Sequence, residues 1–281
     1  MEEIKIKVNC FNLKYTLECG QCFRWKYLDG YYVGVIKDRV IKIRQDKDYL
    51  YVKSNNMDNI ENVVRDYFEL DKDYESIEKR IVKVDDYVKE AIKNTSGLRH
   101  LNQDFFETII SYIISANNNI PRISKSVNEI SKRYGKKIEF EGEDYYLFPT
   151  PKQLENVTVE DYRSCGVGFR DKYIYDTVKR INEKQVDLDN IQKMDTLDLR
   201  KELLNLMGVG PKVADCILLF SCNREEVFPI DVWVERIMEK LYFNSQTTTK
   251  KKILEYATSH FGSDAGIIQQ HLFYNIRENM I

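Results

Sequence analysis

Apolar positions follow one period in the first part of the chain and another in the rest. Between Cys22 and about Ser54 they form short runs rich in β-branched and aromatic residues. These runs are Phe23-Arg24-Trp25-Lys26-Tyr27, Tyr31-Tyr32-Val33-Gly34-Val35-Ile36, Val40-Ile41-Lys42-Ile43 and Leu50-Tyr51-Val52, the residue types that fit a pleated, half-buried surface. Asp29-Gly30, Lys37-Asp38-Arg39 and Asp46-Lys47-Asp48 separate them, and Asp-Gly is a hairpin signal because its glycine accepts positive φ. One small, curved antiparallel sheet is predicted. After Asn56 the spacing becomes helical at Ile60, Val63, Val64, Tyr67 and Phe68, and again at Ile77, Ile81 and Val82. Beyond these, helices are predicted over 104–117, 120–134, 169–184, 196–206, 211–221, 231–243, 248–261 and 265–278, with breaks such as Phe148-Pro149-Thr150-Pro151. The expected fold class is α+β: an N-terminal antiparallel sheet domain with flanking helices over 1–97, then an all-α domain over 98–281, with the boundary near Gly97.

Composition narrows the function classes. At 281 residues either part can bury its own core. With 43% hydrophobic and 31% charged residues, 12 Gly and 5 Pro, collagen-like and disordered classes are excluded. A net charge of −2 removes the bulk-charge argument for nucleic-acid binding, so any such binding must come from local geometry. No apolar run approaches the roughly 18 residues of a membrane span, and the opening Met1–Lys7 alternates charge with Ile instead of forming a signal-peptide core. A cytoplasmic protein with no membrane partner is expected. The cysteines Cys10, Cys19, Cys22, Cys165, Cys216 and Cys222 lack paired zinc spacing, and His100, His260 and His271 lack metal-ligand spacing. Reduced thiols and no metal are expected.

The most informative stretch is Leu206-Met207-Gly208-Val209-Gly210-Pro211-Lys212-Val213. A helix ends at Leu206, two glycines permit a tight turn, and Pro211 opens the next helix where its missing N–H does no harm. Such a helix-hairpin-helix is either a plain αα-hairpin or a phosphate seat. In the second reading Gly208 and Gly210 let DNA approach, and backbone donors of the turn and of the helix start, Val213 included, meet a phosphate. Lys212 favours the second reading. The positive end of a helix disfavours an ammonium, which raises the share of nucleophilic amine. Downstream, Phe228-Pro229-Ile230-Asp231 precedes a helical pattern, so Asp231 is either simply an N-cap or also a fixed carboxylate facing Lys212.

Hairpin, lysine and Pro-x-Asp in this order resemble the helix-hairpin-helix superfamily of DNA base-excision glycosylases, and within it the 8-oxoguanine DNA glycosylase family. Further matches run almost the whole chain: Gly20-Gln21-Cys22-Phe23-Arg24-Trp25, Asp66-Tyr67-Phe68, Ser115-Ala116-Asn117-Asn118-Asn119-Ile120-Pro121-Arg122-Ile123, Gly166-Val167-Gly168-Phe169-Arg170 and Gln269-Gln270-His271-Leu272-Phe273. Endonuclease-III-type relatives carry four cysteines for an iron–sulfur cluster after the last helices. Here no cysteine follows Cys222, so no such cluster is expected. Relatives acting on alkylated purines lack the lysine.

The resemblance implies a bifunctional DNA glycosylase and apurinic/apyrimidinic lyase, without cofactor, acting as a monomer on double-stranded DNA containing 8-oxoguanine, preferably opposite cytosine. It implies Lys212 as nucleophile, Asp231 as stabiliser of positive charge on the sugar, and a base pocket of Gly20 (through its carbonyl), Cys216, Gln269 and Phe273. Asn117 would fill the gap left by the extruded base, Arg122 and Arg170 would donate to the estranged cytosine, and Phe169 would act as a wedge. Local sequence leaves other readings open: the Asn117-Asn118-Asn119 run also suits a helix C-terminus and loop, and Phe273 also suits a core. A glycosylase for another damaged base, or a hairpin module that only binds DNA, are the alternative functions. Trp233 stands where many members have histidine, and His271 has no obvious counterpart.

Overall fold

The structure is a computed structural model that describes residues 2–279. Strands β1 (Ile4–Lys7), β2 (Lys26–Leu28), β3 (Tyr31–Ile36), β4 (Arg39–Asp46) and β5 (Tyr49–Ser54), with helix α1 (Leu13–Glu18) between β1 and β2, make the N-terminal sheet. The sheet is antiparallel in the order β1-β5-β4-β3-β2. Asp29 and Gly30 both take positive φ (48° and 82°) where β2 turns into β3, as a type I′ turn requires. Alternation sorts the faces: Ile6, Ile41, Ile43, Leu50 and Val52 bury against Val64 and Phe68, whereas Arg44 and Tyr51, opposite each other on β4 and β5, stack on the other side, 3.9 Å from guanidinium to ring centre.

The sheet differs from the predicted one at its edges. Ile4–Lys7 is a strand paired with β5, Ile6 opposite Leu50; its short alternation is visible in hindsight as a half-buried edge. Phe23-Arg24-Trp25 does not join the sheet. Cys22, Phe23 and Arg24 are buried, because the chain turns inward there before Lys26–Leu28 pairs with β3.

Helices α2 (Ile60–Tyr67), α3 (Tyr74–Ile81) and α4 (Asp86–Thr95) follow, then α5 (Phe105–Ser115) and α6 (Ile120–Tyr134). A hairpin of β6 (Lys137–Phe140) and β7 (Glu143–Tyr146) interrupts the part expected to be all helix. Its turn is Glu141-Gly142, both at positive φ, and Ile138, Phe140 and Tyr145 cover Val33 and Val40 on the outer face of the sheet. After it come α7 (Val159–Tyr162), α8 (Asp171–Asn182), α9 (Leu188–Ile191), α10 (Thr196–Leu204), α11 (Pro211–Cys222), α12 (Val232–Tyr242), α13 (Lys250–Phe261) and α14 (Ala265–Asn279).

One helical core surrounds α5 and α11, with Ile109, Ile113, Ala214 and Ile217 fully enclosed. A second joins Ile77, Ile81, Val88 and Ile92 of α3 and α4 to Met238, Ile253 and Ile268 of α12–α14. Helices before residue 97 therefore share a core with the last three helices, so packing does not part cleanly at Gly97. Gly97 itself is a crossing point: φ is +83°, and a Cβ would meet the Phe11-Asn12 backbone at 2.7 Å, where Asn12 N–H donates to the Gly97 carbonyl at 2.8 Å. No helix among the described residues is long and apolar enough to cross a membrane.

Candidate active site

The helix-hairpin-helix joins α10 to α11. Gly208 has φ +83°, and a Cβ there would collide with the Tyr173 ring on α8, whereas Gly210 faces open space. The first glycine thus serves fold geometry, and the second leaves the mouth of the hairpin clear. Pro211 opens α11, and the Ala214 N–H is bonded to the Gly210 carbonyl at 2.9 Å. The amides of Lys212 and Val213 lie in the first turn, where helix geometry supplies no intrahelical acceptor. The Val213 side chain is buried, so any contact it makes with a phosphate is through its backbone.

Lys212 is half-buried, with Nζ 5.2 Å from the centre of the Tyr112 ring on α5. One turn further along α11, Cys216 is 3% exposed. Burial pushes its thiol up to about 11, against the pull of the neighbouring Lys212 ammonium, which also hydrogen-bonds it. It stays a neutral, compact wall at neutral pH. Asp231 also acts on Cys216 and Tyr112 through its charge, which brings it into the same neighbourhood. Its carboxylate caps α12 by accepting from the Val234 N–H at 2.8 Å. The cap and the charge near Lys212 are therefore properties of one side chain.

Of the residues expected to line a base pocket, Gly20 and Phe273 come together from distant segments. Gly20, at φ +89°, has Phe273 and Ile120 in front of it: a Cβ there would lie 4.0 Å from the Phe273 ring and 3.5 Å from Ile120 Cδ1. Gln269, one turn before Phe273 on α14, is 5% exposed, and its Oε1 is buried without a partner. A buried amide oxygen left unpaired costs about 1–3 kcal/mol, a cost that His271 Nε2 and the Tyr274 hydroxyl on the same helix share. Arg277 continues this face of α14, its guanidinium 5.7 Å from the Phe273 ring centre and donating to the Glu18 carbonyl. His271 faces the other way, buried, with Nδ1 2.6 Å from Thr95 Oγ1 on α4; burial lowers it to about 3.

On the other rim, Asn117 is exposed at φ 52° in the turn between α5 and α6, so the αL loop reading and a gap-filling side chain are compatible. Arg122 is exposed in the first turn of α6, its N–H bonded to the Asn119 cap at 3.1 Å. Arg170 is 4% exposed and donates to the carbonyls of Ala116 (2.9 Å), Asn117 (2.9 Å) and Val167 (3.1 Å), so it braces the Asn117 loop from below. Its guanidinium is depressed by burial and by the nearby charge of Arg122. Phe169 is 58% exposed, edge-on to Tyr173, 6.1 Å between ring centres, which links it to the hairpin through the ring that Gly208 abuts. Trp233 is equally exposed, with the Arg236 guanidinium 5.6 Å from its ring centre.

Sequence reading missed Tyr112, Tyr173 and Arg277. Only Arg277 had a usable signal, lying four residues after Phe273 on the pocket face of α14.

Residues 3–109 match the model of the 8-oxoguanine DNA glycosylase N-terminal domain, and residues 110–261 that of the HhH-GPD superfamily base excision DNA repair proteins. The chain is 31% identical to a probable N-glycosylase/DNA lyase of Methanothermobacter thermautotrophicus, over 98% of this chain and 96% of the relative. With the N-glycosylase/DNA lyase OGG1 of Arabidopsis thaliana it shares 29% identity over 96% of this chain and 78% of that protein. The solved Clostridium acetobutylicum 8-oxoguanine glycosylase/lyase, in complex with double-stranded DNA containing cytosine opposite 8-oxoG, superposes with TM-score 0.93 at 39% identity, covering 100% of this chain and 99% of its own. With its N-terminal sheet, its hairpin lysine and these relatives over nearly its full length, the chain belongs to the 8-oxoguanine DNA glycosylase/lyase family of helix-hairpin-helix base-excision repair proteins.

Proposed function

We propose that this chain excises 8-oxoguanine from double-stranded DNA, preferably opposite cytosine, and cleaves the strand through a Schiff base on Lys212. The observation that carries this reading is the unpartnered, buried Oε1 of Gln269, one helical turn before Phe273, whose ring stands in front of Gly20. Neutral Lys212 Nζ attacks C1′ of the flipped nucleotide, the C1′–N9 bond breaks, and the base leaves with the electron pair and is protonated. Nζ gives up a proton to the departing base, the C1′–O4′ bond opens with O4′ taking a proton, and the resulting iminium acidifies C2′; loss of a C2′ proton expels the 3′ phosphate. Asp231 stabilises the positive charge that develops on the sugar. The steps balance with no metal or organic cofactor.

Phe273 stacks on the base and Gln269 Oε1 accepts from its Watson–Crick edge. The Gly20 carbonyl accepts the N7–H that 8-oxoguanine has and guanine lacks; facing a guanine lone pair instead costs about 1–3 kcal/mol. Asn117 fills the gap in the duplex, Phe169 wedges the step, and Arg122 donates to cytosine O2 and N3, whereas Arg170, expected to share that contact, holds the Asn117 loop in place through its backbone carbonyls. The Val213 amide holds the backbone phosphate at the mouth that Gly210 leaves clear, on a turn that Gly208 shapes, and the enzyme works as a monomer.

The test is a duplex with one 8-oxoG:C pair. Wild type should cut it and, with borohydride, form a covalent adduct; Lys212→Gln should do neither. Adduct formation by the variant would overturn the lysine assignment, and binding without scission by wild type would favour a DNA-binding module.

A further inference from the structure

The nucleophile and the base reader lie on segments far apart in sequence, and one side chain touches the surroundings of both. Tyr112 is 3% exposed in the middle of α5. Its ring is nearly parallel to Phe220, 5.8 Å between centres at 21°, and takes the edge of Phe23 at 5.4 Å, so it has little freedom to move. Lys212 Nζ lies over this ring. The Tyr112 hydroxyl donates to the Gln21 carbonyl at 3.2 Å, beside a second donor, Gln103 Nε2, at 2.8 Å. Gln21 follows Gly20 directly, and its own side chain is held by the Thr16 and Arg99 carbonyls and the Leu101 N–H.

We propose that Tyr112 is a positioning residue that couples the base-reading loop to the nucleophile, its ring seating the Lys212 amine while its hydroxyl fixes the carbonyl of Gln21, the residue that follows Gly20. The inference rests on the roles of Lys212 and Gly20 given above. Lysine has a flexible four-carbon stem and loses much of its freedom when placed for attack. A ring that attracts the ammonium narrows where Nζ waits, which shortens the search for the reacting carbon. Gly20 has the opposite difficulty: a glycine at positive φ can turn its carbonyl widely, and a direction for that carbonyl requires a rigid next residue. The Tyr112 and Gln103 bonds supply it. The ring therefore acts at every substrate, and the hydroxyl only where a base is read.

The test separates the two halves on two substrates, an 8-oxoG:C duplex and the same duplex with a preformed abasic site. Tyr112→Phe should lower single-turnover 8-oxoguanine excision about fivefold, the worth of one hydrogen bond, and lower abasic-site cleavage less than twofold. Tyr112→Leu should lower both, abasic-site cleavage by about tenfold. Equal factors on the two substrates for Tyr112→Phe would mean a purely structural role and overturn the coupling, as would no effect of either variant. Should Tyr112→Leu not fold, the ratio measured for Tyr112→Phe decides alone. Trapping by Lys212→Gln reports separately on the reading underneath. If that variant still forms the adduct, the nucleophile assignment fails; if it does not and Tyr112→Phe shows no split, only the coupling fails.

Discussion

Gln21 and Gln269 are both withdrawn from water, 0% and 5% exposed, and their amides are treated oppositely. Gln21 Nε2 donates to the carbonyls of Thr16 and Arg99, both at 2.8 Å, and its Oε1 accepts from the Leu101 N–H at 2.9 Å. It fastens the loop after α1 to the segment that leads into α5. Gln269 leaves Oε1 buried and unpaired. A polar atom of this kind is a defect in a scaffold and an asset in a binding site, where the ligand completes it. Hydrogen-bond saturation thus distinguishes the two glutamines, although burial alone makes them look alike, and it marks Gln269 as the one free to take up the proposed reading role.

The largest expected effect tests this contrast directly. Gln21→Leu strands two carbonyls and an amide in the interior and should cost about 3–5 kcal/mol of stability in urea unfolding. Gln269→Leu removes an unpaired oxygen, so the fold should be as stable or more so, while 8-oxoguanine excision falls roughly tenfold or further. Equal destabilisation by the two substitutions would erase the distinction.

A similar comparison divides two aspartates that both cap helices. Asp104 accepts from the Glu107 N–H at 2.8 Å at the start of α5, and Asp231 accepts from Val234 at the start of α12. Asparagine is as good a cap as aspartate, so Asp104→Asn and Asp231→Asn should both fold with little loss. Only Asp231→Asn should slow excision, by roughly 10²-fold, the scale for removing one preorganised electrostatic group. A single-turnover rate for Asp231→Asn within twofold of wild type would reduce Asp231 to its capping role.

The frame was legible in the sequence where period and turn chemistry agreed. The strands 31–36, 39–46 and 49–54 and the helices α5, α6, α8 and α10–α14 fall within a few residues of the expected positions, whereas the one-turn helices α7 and α9 are not among those expected, because alternation and the 3.6-residue stripe both encode a buried face only over longer runs. The β6–β7 hairpin escaped because its strands are charged, and their apolar residues Ile138, Phe140 and Tyr145 pack on the outer face of a sheet formed about a hundred residues earlier. Phe23 was misread because aromatic density resembles a strand even where the chain turns into a core. For the site, motif order points to Lys212 and Asp231 and the family resemblance implies Gln269, but neither points to Tyr112, whose proposed role depends on three-dimensional placement. Nor does either suggest that Arg170 is bonded to three backbone carbonyls.

Two faces of α14 extend the comparison to pH. Gln269 and Phe273 face the pocket, whereas His271 is buried against Thr95 and lowered from 6.5 to about 3 by desolvation. The folded state keeps this ring neutral while the unfolded chain protonates it near 6.5, so its contribution is fully present above pH 6.5 and is lost as pH falls towards 3. Within that window it removes about 1.4 kcal/mol per pH unit. His100, lowered to about 3 by burial and by the Lys72 charge, adds to the slope in the same direction. Urea unfolding at pH 7, 6 and 5 should show His271→Gln losing less stability on acidification than wild type; identical slopes would mean that the ring is protonated in the folded state.

The smallest expected effect concerns the two glycines of the hairpin, which look equivalent in the sequence and differ in the structure. Gly208 has positive φ and abuts the Tyr173 ring, so Gly208→Ala combines a strained backbone, about 1–2 kcal/mol for an L-residue, with a displaced aromatic. It should lower stability by about 2 kcal/mol or more and weaken DNA binding as the hairpin shifts. Gly210 has an ordinary extended backbone and nothing within 4 Å of a would-be Cβ. Gly210→Ala should therefore cost only about 0.5 kcal/mol, the difference between glycine and alanine as N-cap. The added methyl would still stand where a phosphate approaches the first-turn amides of α11, and a modest lengthening of those hydrogen bonds should weaken duplex binding several-fold. The Kd should be measured by titration at fixed salt, because the phosphate contribution varies steeply with ionic strength. If Gly210→Ala binds the duplex as tightly as wild type, no phosphate passes Gly210 to reach the first-turn amides of α11, and this glycine serves only the turn.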